Sequence, residues 1–137
     1  MNHPLLQHTF DQADQQIGAM EIALASAQDT PLAETVEQAT RIVRQLITAY
    51  SADVGEASQP ADDADLLECL RVLVKGDPSW NTIRDNCREL VYYHNCLQMD
   101  RADALPAHPQ KMTVRTLRHL FLFMKSRCMR ESRLEMS

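Results

Sequence analysis

Two residues of this chain pair a permanent cation with a general acid or base: Arg88 and His94, in an R-x5-H arrangement. Other groups able to do chemistry are scattered. The four cysteines, Cys69, Cys87, Cys96 and Cys128, are irregularly spaced without a CxxC, which is the pattern of buried, reduced thiols rather than of a disulfide framework. For a metal, His94-Asn95-Cys96 aims its two ligands at different faces of a helix. His119 and Cys128 fall on different sides of another, and His3 and His8 lie near the N-terminus without a carboxylate. No GxGxxG, no GxxxxGK[ST] and no nucleophile-elbow motif occurs. The expectation is a protein that holds no metal or cofactor, has no evident small-molecule substrate and is not an enzyme.

The spacing of Arg88 and His94 loosely resembles that of HEPN-type ribonucleases, and the resemblance, which covers these two residues, implies RNA cleavage by the pair. Helical geometry opposes it, because six residues leave the two side chains about 120° apart. His94 also falls on the apolar stripe of its helix, where a hydrogen-bonded core histidine is expected. A helix-turn-helix across Gly76-Asp77 would make Ser79, Asn81, Thr82 and Arg84 the base readers, but the preceding DDADLLE would bring four carboxylates toward phosphates.

The elements that position these residues are helical. Leu6, Phe10, Ala13, Ile17, Met20, Leu24 and Ala27 recur in steps of four and three and predict a helix over 4–27. Thr30-Pro31 reads as an N-cap with proline at the first helical position, opening a helix over 31–51 with Val36, Ala39, Val43, Leu46 and Tyr50 inward. So short a connection makes an antiparallel hairpin of the two. Residues 52–61 read as a loop, Asp62, Asp63 and Asp65 as the acidic start of a short helix, and Gly76 as its end. A helix over 78–103 follows, with Trp80, Ile83, Cys87, Leu90, Val91, His94 and Leu97 on its core side. Pro106 and Pro109 break the chain, and Thr113 caps a last helix over 113–134. The predicted fold is all-α: a single domain, 1–137, built as a bundle of four long helices and one short one.

Tyr92, Cys96 and Met99 lie opposite the core side of the fourth helix, and Leu122 and Phe123 lie away from the stripe of the fifth. A helix apolar on two faces is covered either by its own bundle or by another subunit. Charge is equally uneven: residues 111–137 carry seven basic and two acidic side chains, a net +5, while the first 110 residues carry −10, in a chain of net −5. Such polarity steers a partner without naming it.

The expected function is therefore that of an interaction protein, an adaptor, regulator or assembly chaperone, that binds another protein or a second copy of itself. Tyr92, Met99 and Phe123 would be the contact residues and Arg115, Arg118 and Arg130 the steering charge. The alternatives are a nucleic-acid-binding regulator using the same basic helix, and the ribonuclease already described. With no basic leader ahead of an apolar run and no stretch of 18 apolar residues, a cytoplasmic protein without a membrane span is expected.

Overall fold

A computed structural model describes residues 3–27, 30–55 and 59–135. Five α-helices, α1 (Pro4–Ala25), α2 (Leu32–Val54), α3 (Leu66–Gly76), α4 (Arg84–Gln98) and α5 (Pro109–Arg130), form the bundle, with 3-10 segments at Pro78–Ile83 and Ala102–Ala104. No strand occurs among the described residues.

Side-chain contacts give the direction of each helix. His3 Nδ1 lies 2.8 Å from Asp53 Oδ1, joining the start of α1 to the end of α2, so these two form the expected antiparallel hairpin. Gln110 at the start of α5 bonds the Thr30 carbonyl just before α2, while Tyr50 near the end of α2 donates to Glu131 at 2.8 Å. Hence α2 and α5 run parallel, both opposed to α1. The Thr116 hydroxyl reaches Glu89 at 2.9 Å and Phe123 stacks on Trp80, which sets α4 antiparallel to α5.

The core follows the apolar periodicity. Leu6, Phe10, Ala13, Ile17 and Met20 of α1 meet Ile42, Val43, Leu46 and Ile47 of α2 and Leu117, Leu120, Phe121 and Met124 of α5 in one cluster. Phe10 and Phe121 touch at 5.8 Å between ring centroids. Burying a side chain of this size stabilises the fold by about 1.5–3 kcal/mol, so these layers dominate its stability.

Several boundaries differ from the sequence expectation, α1 and α5 ending at Ala25 and Arg130, before residues 27 and 134. α2 continues to Val54 and ends at Gly55, whose φ of +74° is the left-handed cap that an L side chain resists; residues 56–58 of the expected loop lie outside the described residues. α5 begins at Pro109, not Thr113. A proline at the first helical position loses no hydrogen bond, so Pro109 starts the helix, and buried Thr113 bonds back to the Pro109 carbonyl at 2.8 Å. At the head of α2 the N-cap is Pro31, without a side-chain bond, instead of Thr30.

The stretch read as one helix over 78–103 is divided. Residues 78–83 wind as a 3-10 helix, with three residues per turn, and so advance about 20° more per residue than an α-helix. The stripe read through Trp80 and Ile83 nevertheless continues through buried Cys87 and Leu90 and departs from the core only beyond them. The buried residues of α4 are Cys87, Leu90, Tyr93 and Cys96; Val91 and Leu97 are half-buried, and His94 is exposed. Thus the expected core histidine is a surface residue, and Cys96, on the same side of α4 as Tyr92, is buried but lies outside the main core cluster.

Candidate functional site

The six residues expected to bind a partner occupy three separate surfaces. Tyr92 and Met99 stand on the outer side of α4, 49% and 72% exposed. The Tyr92 ring is held in place: its hydroxyl donates to the Ala104 carbonyl at 2.8 Å and the ring meets Tyr93 edge-on at 6.3 Å. The 3-10 segment at 102–104 thus fixes the orientation of an exposed aromatic on α4.

Phe123 and Arg130 share a second surface, a shallow groove between residues 79–82 and α5 that is also lined by Arg127 and Glu131. Phe123 is half-buried, its ring 6.0 Å from Trp80 in an edge-to-face contact, so much of its apolar area already serves the bundle. Arg130 points outward beside it.

Arg115 and Arg118 line a third hollow, between α1 and α5, together with Lys111, His119 and Leu122. They differ in freedom. Arg118 spans to α1, with Nη1 2.7 Å from Asp14 and Nη2 2.8 Å from Glu21, and its guanidinium lies over Phe121. The hydrogen bond from Arg118 holds the Glu21 carboxyl below its ordinary range. Arg115 is exposed and makes no ion pair among the described residues.

The same internal use of charge governs the end of α5. Arg127, 12% exposed, bonds Asp77 and Ser79 of the 3-10 segment and Glu131 of its own helix, and stacks 3.9 Å above the Trp80 ring. Arg133 joins Glu131 at 2.8 Å to Asp53 at 2.9 Å. Burial would push the Glu131 carboxyl up, but hydrogen bonds from Arg133, Arg127 and Tyr50 outweigh it and hold the group down. Burial, then the bond to Glu131, pushes the Tyr50 phenol up to about 12. Asp77 is held low by the Ser79 hydroxyl and N–H and by Arg127.

The groups that could catalyse remain dispersed. Arg88 and His94 are both exposed, and a cleft between α2 and α4 takes His94 but not Arg88. The four cysteines are buried, and burial raises the Cys87 and Cys128 thiols to about 12, far from a nucleophilic thiolate at neutral pH. Among the described residues no three His, Cys, Asp or Glu side chains gather as a metal would require.

That cleft, about 540 Å³, escaped the sequence reading. Arg41, Arg44 and Thr40 come from α2, Asp65 and Leu66 from the head of α3, and Val91, His94, Asn95, Leu97 and Gln98 from α4. The available signal was a polar stripe at 37, 40, 41 and 44 on the side of α2 next to its apolar face. Assigning His94 to the core hid the matching stripe on α4.

Compared with protein-family models, with curated proteins and with solved structures, the chain matches none. Among the described residues no helix is long and apolar enough to cross a membrane.

Proposed function

We propose that the chain works by binding, as an adaptor, regulator or assembly chaperone, and that the outer face of α4 is the surface it presents to another protein or to a second copy of itself. The observation that carries this reading is the pairing of Tyr92 and Met99 two turns apart on that face. Tyr92 is exposed yet already oriented by Ala104, so a partner gains its contact area at small entropic cost. Met99 beside it is flexible and polarizable, which suits an adaptable apolar contact.

The basic helix supports this reading over nucleic-acid binding. Arg118, Arg127 and Arg133 are each engaged by carboxylates from other parts of the chain, which lowers the number of charges free to meet phosphates. Sedimentation velocity and a pull-down from nuclease-treated lysate, run on the native chain and on the Tyr92→Ala/Met99→Ala double variant, test the proposal. It expects one self-associated species or one protein partner to be lost in the double variant and kept in Arg115→Glu. Binding that is abolished by nuclease or by Arg115→Glu, and indifferent to Tyr92 and Met99, would refute it in favour of nucleic acid.

A further inference from the structure

The outer face of α4 carries more than its apolar side chains. Asp85, Arg88, Tyr92, Asn95 and Met99 recur along it in steps of three and four, all exposed, which is the spacing at which one helix meets another along a seam. The charges about this seam are sorted by end. Its N-terminal end holds two cations and one carboxylate, Arg84, Asp85 and Arg88, and its C-terminal end one cation and two carboxylates, Asp100, Arg101 and Asp103, all of them exposed. The segment that carries Asp103 lies on the Tyr92 side of α4, since the Tyr92 hydroxyl donates to the Ala104 carbonyl. Arg101 is matched by Asp103 at 3.0 Å, which leaves Asp100 as the surplus negative charge. Among the described residues Arg84, Asp85, Arg88 and Asp100 make no ion pair. Glu89, on the flank, is half-buried and turned toward α5, accepting from Tyr93 and Thr116. The helix macrodipole adds to the same polarity, positive at the N-terminal end and negative at the C-terminal end.

A face of this kind is complementary to itself when turned end for end. We propose, on the reading that this face is the chain's binding surface, that its partner is a second copy of the chain, packed with α4 antiparallel to α4 about a two-fold axis that crosses between Tyr92 and Asn95. In that register Tyr92 lies opposite Asn95 of the second copy. Arg88 lies opposite Met99, where its aliphatic stem covers the thioether and its guanidinium reaches Asp100. A parallel arrangement would set Arg88 on Arg88 and Asp100 on Asp100. So short a seam, with two exposed apolar side chains, belongs to the class of small interfaces, below about 1,200 Å², and makes a reversible dimer with a dissociation constant in the tens to hundreds of micromolar.

Sedimentation equilibrium of the full chain from micromolar to millimolar concentration tests this, beside the Tyr92→Ala/Met99→Ala, Arg88→Glu and Asp100→Lys variants and the combined Arg88→Glu/Asp100→Lys variant. The expected result is a monomer–dimer equilibrium weakened at least tenfold by Tyr92→Ala/Met99→Ala and at least fivefold by either single charge reversal, because each reversal sets like charges together at two symmetric places. The combined variant exchanges the two signs and should recover the native affinity to within threefold. Should Asp100→Lys unsettle the turn, in which Asp100 has a φ of +57°, Asp100→Asn keeps a residue that tolerates that region, removes the charge and is expected to weaken the dimer at least twofold. A chain that stays monomeric at millimolar concentration, reversals without effect, or a combined variant no better than the single ones each overturns the proposal. A monomeric chain that still retains a protein from nuclease-treated lysate through Tyr92 and Met99 overturns the second copy and leaves the binding face standing; loss of both overturns both.

Discussion

Removing Arg127 tests whether the cations of α5 act as internal struts. Its guanidinium serves Asp77, Ser79 and Glu131 at once while covering Trp80 at 3.9 Å. The Glu131 carboxylate is 29% exposed, so its pair contributes about 0.5–1 kcal/mol, while the more open Asp77 pair is screened by solvent. The stack over Trp80 is more sheltered, since the arginine side chain is 12% exposed and the indole is buried, and it adds about 1–2 kcal/mol. Arg127→Ala is therefore expected to destabilise the fold by about 1.5–3 kcal/mol. Arg127→Met keeps apolar cover on the indole and should lose about 1–2 kcal/mol less than the alanine variant. Urea unfolding followed by the fluorescence of Trp80, the one tryptophan of the chain, reads both changes at the strut itself. A loss below about 0.5 kcal/mol in Arg127→Ala, or a methionine variant as stable as the native chain, would show that the charge contributes nothing there.

Glu131 has a folded-state pKa below its ordinary 4.5, so its stabilisation is complete above that value and is lost as pH falls through the lower, folded one. Acid unfolding of Glu131→Gln should accordingly show a shallower loss of stability below about pH 4.5 than the native chain. Tyr50 has the opposite sense: with its phenol raised from 10 to about 12, its contribution is complete below pH 10 and lost as pH rises through about 12. Tyr50→Phe should flatten that alkaline limb in a stability titration. The four buried thiols should stay unreactive toward a disulfide reagent at pH 8 until urea unfolds the chain, and rapid labelling of Cys87 or Cys128 in the native state would contradict their burial.

The parts of the fold that could be read from sequence are those in which one local rule decides. In α1, α2 and α5 the side chains at three- and four-residue steps are the ones buried, because those helices keep one pitch from end to end. In α4 the predicted stripe holds through Cys87 and Leu90, and beyond them burial passes to Tyr93 and Cys96 and leaves His94 exposed. Pro109 misled differently, because a proline both stops one helix and starts another, and the residue type does not say which. The exposure of Tyr92 and Met99 was legible, because both lie opposite Cys87 and Leu90, where the helix phase holds. The α2–α4 cleft was not, because its walls come from positions some fifty residues apart and depend on tertiary packing.

The uneven charge of the chain takes on a different meaning once those partners are placed. Arg118, Arg127 and Arg133 reach Asp14 and Glu21 on α1, Asp77 ahead of α4, and Asp53 on α2, so part of the positive tail meets the acidic body in two separate internal clusters. Three of the seven cations of the tail are thereby engaged within the molecule, while Lys111, Arg115 and Arg130 stay exposed. On the proposed function, a partner drawn by those three would still have to be recognised by shape, a task that the proposal gives to the oriented ring of Tyr92 and the side chain of Met99.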